Sequence, residues 1–168
     1  MHQGITGLFA LLAAAPALGA PTDAAVPVPV RATVVKPLIL TSTGSLNFGT
    51  IVLNGLTASR MVSLSIANVR DCGGGTPQLI CSGATSVPTY TVRGTNNRVV
   101  TIIKTPSNLT NAANGATLRM TLIGPASVTL RNSGINGASF AIGAAITLTP
   151  TTGEGLYSGT VNVTVDYQ

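Results

Sequence analysis

Charged residues are scarce in this chain, and the residues on which most enzyme chemistry depends are scarcer still. Only 8% of the 168 residues are charged, four are acidic, and the one histidine is His2. General acid–base catalysis needs such a group beside the reacting atoms, and a serine nucleophile needs a base. Past residue 24 the acids are Asp71, Glu154 and Asp166, and nothing in their spacing pairs them. We therefore predict that the protein is not an enzyme and has no metal or cofactor.

Aromatic residues and clustered basic residues are also missing. Aromatics make up 4% of the chain, there is no Trp, and the nine Lys and Arg residues are scattered singly from Arg31 to Arg131. Nucleic-acid binding favours basic clusters with aromatic side chains for base stacking. We predict no nucleic-acid partner, and we interpret the basic residues mainly as solubilising charge. The shortage of aromatics also argues against sugar stacking.

The first 24 residues differ from the rest of the chain. An apolar run of 14 residues extends from Gly7 to Ala20 and ends in small residues. A membrane-spanning helix needs ~20 apolar residues, whereas a secretory signal needs only a shorter apolar core. We predict a signal peptide over residues 1–24, cleaved after Gly19 or Ala24. A buried helix or a membrane anchor is the alternative, and the lack of Lys or Arg before Gly7 leaves open a start upstream of Met1.

What the chain does contain is alternation. Apolar and polar residues alternate in many short runs, with turn-forming pairs such as Asn54-Gly55 and Asn114-Gly115 between them. This pattern is typical of an antiparallel β-sandwich, and no run keeps the 3.6-residue period of a helix. We predict an all-β sandwich domain over residues 44–168, with strands at residues 46–53, 61–69, 88–93, 98–104, 117–123, 127–130, 139–142, 145–149 and 157–167.

Cys72 and Cys81 are the only cysteines. In an exported chain, an even pair this close together is most simply a disulfide that closes a loop. A zinc site would need more ligands than two thiolates, and no histidine is at hand. The sequence therefore predicts a Cys72–Cys81 disulfide.

The two ends of the chain raise a question of strand pairing. The final strand places Val161, Val163, Val165 and Tyr167 on one face, and a strand this regular should have a neighbour on each side. Near the other end, residues 25–43 form an apolar leader that is too long for one ordinary strand, with prolines only on the opposite positions. We predict that the leader supplies the missing neighbour, within one molecule or between two. Its apolar residues are Val26, Val28, Val30, Ala32, Val34, Leu38 and Leu40.

These ends resemble those of a known family. Gly155 is fourteenth from the end, three valines alternate after it, and the aromatic Tyr167 is penultimate. In these respects the chain resembles the pilins that the chaperone–usher pathway of Gram-negative bacteria assembles. It is most similar to the small secreted pilin-like domains of that group, long labelled as a domain of unknown function.

The resemblance implies an immunoglobulin-like sandwich that lacks its seventh strand and has an apolar groove beside the C-terminal strand. A periplasmic chaperone would fill the groove first. The leader of another copy, residues 25–43, would replace it at an outer-membrane usher, which gives a pilus on the cell surface. Pilin donor strands often contain a glycine, but residues 26–43 contain none and Ala32 is the smallest apolar residue there, so the register stays open. The acceptor residues would be Gly155, Val161, Val163, Val165 and Tyr167.

Two other interpretations fit the same pattern. In the first, residues 26–43 are a flexible proline-bearing leader followed by an ordinary first strand of the same domain. In the second, the protein is a monomeric secreted β-sandwich that binds a carbohydrate or a protein through loops such as the one between Cys72 and Cys81.

Overall fold

The computed structural model describes residues 29–131 and 136–168. The chain divides into two compact units, Met1–Thr33 and Val34–Gln168. Of the first unit only residues 29–33 are described, and they are exposed and have no regular secondary structure. The predicted signal peptide and the predicted donor residues Val26 and Val28 lie outside the described residues. The strands described below all belong to the second unit.

The second unit is an antiparallel β-sandwich of the immunoglobulin-like kind, which confirms the predicted fold class. The described residues form strands and no helix, and so contain no helix that could cross a membrane. In chain order the strands are β1 (Ile39–Thr43), β2 (Thr50–Leu53), β3 (Arg60–Leu64), β4 (Arg70–Cys72), β5 (Leu79–Ser82), β6 (Thr89–Arg93), β7 (Val99–Thr105), β8 (Ser107–Asn111), β9 (Thr117–Ile123), β10 (Ser127–Thr129), β11 (Ala138–Ala141), β12 (Gly143–Leu148), β13 (Tyr157–Ser158) and β14 (Asn162–Tyr167).

The strands form four antiparallel groups. Two three-stranded sheets have the orders β1-β6-β11 and β10-β7-β14, and a six-stranded sheet has the order β13-β8-β9-β12-β3-β4. Strands β2 and β5 pair separately. At two places among the described residues the chain passes from one group to another after a single residue. Pro106, which has no backbone N–H to donate, separates β7 from β8, and Ile142 separates β11 from β12.

Two hydrophobic clusters fill the sandwich. In one cluster, β6 and β11 contribute Tyr90, Val92 and Phe140, which face Val100 and Ile102 from β7. The two three-stranded sheets therefore pack face to face. The other cluster lies against the six-stranded sheet. It contains Val62, Leu64, Leu118, Met120, Ala144, Ile146 and Leu148, and it is covered by Phe48, Leu56, Leu79 and partly buried residues of β2.

The predicted disulfide is confirmed. Cys72 at the end of β4 is bonded to Cys81 in β5, with the two Cα atoms 6.0 Å apart. The bond joins an edge strand of the six-stranded sheet to the β2–β5 pair. Within the loop that it closes, the N–H of Gly74 donates to a carboxylate oxygen of Asp71 at 3.2 Å.

The predicted strand over residues 157–167 is wrong as a single element, since it is two strands that pair with different partners. β13 pairs with β8, and β14 pairs with β7. The chain crosses between them at Gly159, where an added Cβ atom would lie 2.7 Å from the carbonyl oxygen of Asn108. Only glycine permits this close approach of two backbones.

The predicted boundary between leader and domain at residue 43 is also wrong. Residues 39–43 form β1, which pairs with β6 from Ile39 opposite Arg93 to Thr43 opposite Thr89. The domain therefore includes its own first strand, as the alternative interpretation of the leader proposed. Alternation continues without a break from the leader into β1, so the pattern alone could not mark the boundary.

Candidate functional site: an open cavity between two sheet edges

Eight strands among the described residues have one neighbour each, and β1 and β14 are two of them. β14 pairs only with β7, and β1 pairs only with β6, within the part of the chain that the structure describes. An edge strand leaves a row of backbone N–H and C=O groups free for another strand. The question raised by the sequence, where the second neighbour of the last strand lies, therefore has no answer among the described residues of this chain.

A large cavity opens beside the start of β14. Its volume is about 1230 Å³, and it lies between residues 42–53 on one wall and residues 152–161 on the other. Small-molecule sites typically have volumes of ~300–1,000 Å³. The cavity exceeds that range, and its lining includes two edge strands, β2 and β13, so it has room for a peptide segment.

The floor of this cavity is the core of the domain. Leu118, Met120, Ile146 and Leu148 line the cavity and also belong to the cluster against the six-stranded sheet. Met120 is only 1% exposed and Ile146 only 3%. An apolar side chain that entered the cavity would therefore contact residues of the buried core.

One lip of the cavity is held in place by Asn111. This side chain is 1% exposed, and its amide donates to the carbonyl oxygen of Glu154 at 2.9 Å while its side-chain oxygen accepts from the N–H of Ala113 at 3.0 Å. Gly155 has φ of +133°, and a Cβ atom there would overlap the Asn111 amide. The glycine fourteenth from the end is thus required by backbone conformation and by contact with a buried side chain.

Hydrogen bonds of Tyr167 hold the far end of β14, away from the cavity. The hydroxyl of Tyr167 donates to the carbonyl oxygen of Lys36 and accepts from the N–H of Thr95, both at 2.7 Å. The N–H of Lys36 donates to the Thr95 hydroxyl at 2.7 Å. Gly94 leaves room for the Tyr167 hydroxyl, which an added Cβ atom would overlap. The penultimate aromatic residue therefore ties the end of β14 to the chain just before β1.

The predicted acceptor residues divide between these two ends. Gly155 and Val161 line the cavity, and Val161 touches both core clusters. Val163, Val165 and Tyr167 are half-buried against the cluster between the three-stranded sheets. Of the five predicted acceptor residues, only the two before β14 therefore line the cavity.

The predicted donor residues also divide. Val30 and Val34 are 91% and 92% exposed, and Ala32 is exposed as well. Leu38 and Leu40, in contrast, are half-buried against the core of their own domain. Leu40 lies in β1 and Leu38 immediately precedes Ile39, the first residue of that strand. The exposed part of the predicted donor segment therefore ends before Leu38.

Sequence reasoning missed the wall at residues 42–53 and the polar support at Asn111. The sequence predicted a strand at residues 46–53, but only Thr50–Leu53 form one, and nothing in that pattern indicated that this segment lines a cavity. Asn111 looks like an ordinary turn residue before Ala112, and its burial is a result of folding. Gly155 was the available signal, because a glycine at that position indicates a neighbour too close for a side chain.

The cavity offers little chemistry. Within the described ranges no group of three or more His, Cys, Asp or Glu residues is placed to hold a metal ion. Tyr90 lines the cavity, and burial raises the pKa of its phenol above the ordinary 10.0. Glu154 is the one acidic residue on the cavity wall. The arrangement can bind an extended apolar segment with a complementary charge at the lip.

These features define a disulfide-bonded β-sandwich with a large cavity beside the edge strands β2 and β13. The chain matches a family described as a domain of unknown function, DUF4402, over residues 38–167, and it belongs to that family. The match begins immediately before β1 and ends at Tyr167, so it covers the sandwich and leaves out residues 25–37 of the leader. No curated protein and no solved structure matches the chain.

Proposed function

We propose that this protein is the structural subunit of a bacterial surface pilus, assembled by donor-strand exchange. The observation that carries the proposal is the open apolar cavity between two unpaired sheet edges, in a chain whose leader alternates like a strand. The cavity of one copy receives residues 26–34 of another copy. Main-chain hydrogen bonds to the free edge give the pairing, and alternate side chains enter the cavity.

The composition of the leader supports this occupant. Its even positions are four valines and Ala32, while Pro27 and Pro29 occupy odd positions. Proline cannot donate to a ladder but is tolerated in a strand at a sheet edge. Burying each valine contributes about 1.5–3 kcal/mol, so the four contribute roughly 6–12 kcal/mol before the cost of ordering the segment. That is comparable with the whole stability of a domain, ~5–15 kcal/mol.

The Tyr167 contacts support one direction of insertion. Tyr167 and Lys36 are bonded to each other at the far end of β14, whereas the cavity opens at the lip near Glu154. The donated strand therefore enters with its N-terminal end pointing toward Tyr167. Its C-terminal end, which leads into its own domain, stays at the lip. This direction is antiparallel to β14.

The proposal includes export of the chain from the cytoplasm and two partner proteins for its assembly. The apolar run before residue 24 directs the chain out of the cytoplasm, and the disulfide suits an oxidising compartment. A periplasmic chaperone fills the cavity until an outer-membrane usher exchanges it for the leader of the next copy. The finished pilus lies at the cell surface.

The test uses the chain from residue 25 onward in three forms. Val28→Asp with Val30→Asp places charges on two even positions of the leader, and Thr33→Asp places one on an odd position as a control. We expect the wild type and the control to form oligomers resistant to mild heating in detergent, and the double variant to stay monomeric. A synthetic peptide of residues 25–35 should raise the melting temperature of the double variant by at least about 10 °C.

Two outcomes would contradict the proposal. One is that the double variant assembles as well as the wild type, and the other is that the peptide leaves its melting temperature unchanged. Either result favours a monomeric secreted β-sandwich that binds its ligand elsewhere, for example through the disulfide loop.

A further inference from the structure

Two side chains at the lip of the cavity, those of Leu156 and Glu154, are exposed in their own domain. Leu156 lines the cavity mouth and is 83% exposed. Glu154 is exposed, and no described residue pairs with its carboxylate. The backbone beneath them is fixed, because Asn111 holds the Glu154 carbonyl and the Tyr157 hydroxyl donates to the Gly153 carbonyl at 2.9 Å. An apolar group and a negative charge are therefore presented from a rigid loop.

The opposite end of the sandwich is basic. Lys36 is bonded to Thr95, and Arg93 stands opposite Ile39 at the start of β1. The N–H of Leu130 donates to the carbonyl oxygen of Arg98 at 2.8 Å, and Arg131 follows Leu130. The four cationic residues of this end are Lys36, Arg93, Arg98 and Arg131, and the acidic side chain nearest to them along β14 is Asp166, opposite Thr101.

The lip, with Glu154, and the basic end of the sandwich have opposite charges. This charge complementarity indicates a second contact between subunits. We propose that Glu154 of one copy pairs with Lys36 of the copy whose leader it has received, and that Leu156 covers the donated chain where it leaves the cavity. This inference rests on the proposed function, since it places the donor strand in the cavity. The partner is a second copy of this chain, bound head to tail.

Chain length supports the choice of Lys36. If Val34 is the last donor residue in the cavity, Lys36 follows two residues later, or ~7 Å at ~3.3 Å per residue. Its flexible side chain then reaches the lip. Arg93, Arg98 and Arg131 lie on the same end of the donor subunit and add longer-range attraction. In its own domain Arg119 lines a second cavity together with Gly153, but it makes no ion pair among the described residues.

A charge-swap experiment tests the pair. Glu154→Lys, Lys36→Glu and the double swap are made in the chain from residue 25 onward, and the rate of leader-dependent assembly is followed by light scattering. At about 20 mM NaCl each single variant should assemble about tenfold more slowly than the wild type, and the double swap should return to within about threefold. At about 500 mM NaCl the differences should shrink to less than about twofold. Asp71→Lys, which makes the same charge change on the disulfide loop, is the control and should stay within about threefold of the wild type.

The outcomes separate this inference from the proposed function. If Glu154→Lys behaves like Asp71→Lys, or if the double swap remains as slow as the single variants, the Glu154–Lys36 pair is refuted. The peptide-binding test of the cavity, which involves neither charge, is unaffected by that result. If the wild type does not assemble through its leader at all, the pair and the proposed function fall together.

Discussion

Replacing Gly155 with alanine should destabilise the domain far more than the same change at Gly153, two residues earlier. Gly155 has φ of +133°, and a residue with a side chain held in such a conformation costs about 1–3 kcal/mol. The added methyl group would also displace the Asn111 side chain, which leaves buried polar groups unpaired at a further cost of about 1–3 kcal/mol. The expected loss is therefore about 2–6 kcal/mol.

Gly153 is a matched control because it lies in the same loop without either constraint. An added Cβ atom there would find its nearest neighbours at 3.5 Å and 3.9 Å, which is ordinary van der Waals contact. Alanine should therefore change the stability by no more than about 1 kcal/mol, in either direction, mainly through the entropy of the unfolded chain.

The measurement is urea unfolding of the wild type and both variants, followed by far-ultraviolet circular dichroism. All samples need the same protein concentration, because assembly stabilises the folded state by mass action. Adding Asn111→Ala to the Gly155→Ala variant should then cost less than the sum of the two single changes, since the methyl group no longer meets the amide. A Gly155→Ala variant within about 1 kcal/mol of Gly153→Ala, or strict additivity with Asn111→Ala, would refute the reasoning.

Three further changes test other parts of the fold. Tyr167→Phe removes two hydrogen bonds at the end of β14 and should lower the free energy of unfolding in urea by about 1–3 kcal/mol. Tyr157→Phe removes one hydrogen bond and should lower it by less than about 1.5 kcal/mol. Reducing the Cys72–Cys81 disulfide should lower the free energy of unfolding by about 2–3 kcal/mol, and an unchanged urea midpoint in reductant would contradict this. Because burial raises the pKa of Tyr90, its contribution to stability is complete below pH 10.0 and is lost as the pH rises through the higher folded-state pKa. The wild type should therefore lose stability above pH 10.0 more steeply than Tyr90→Phe, as urea midpoints on either side of that pH will show.

Strict alternation predicted the strands that bury one face against the core. The predicted strand at residues 117–123 has the bounds of β9, because Leu118, Met120 and Leu122 alternate against polar neighbours. β8 was missed because Leu109 is the only large apolar residue in Ser107–Asn111. Its strand conformation depends on pairing with β9 and β13, and that pairing is set by the fold as a whole.

The cavity was predictable only in outline. The regular pattern from Val161 to Tyr167 indicated a strand with a free side, and β14 has one neighbour among the described residues. How the end of that strand is held depends on the Tyr167–Lys36 hydrogen bond, which joins residues 131 positions apart in the chain. No local pattern can report a contact at that separation.

Lys36 separates two parts of the alternating leader that differ in their contacts with the domain. Before it, Val30 and Val34 are almost fully exposed, and after it Leu38 and Leu40 pack against the core. Pro37 restrains Lys36 to an extended conformation, and the Tyr167 and Thr95 hydrogen bonds fix its backbone. If the leader is donated as we propose, the donating subunit does not have to release β1. The strand pairing within each domain and the proposed pairing between domains would then contribute to stability separately. Changes at Val28 or Val30 should for that reason weaken assembly without loosening β1, whereas Tyr167→Phe should loosen β1 even in a subunit whose cavity is filled.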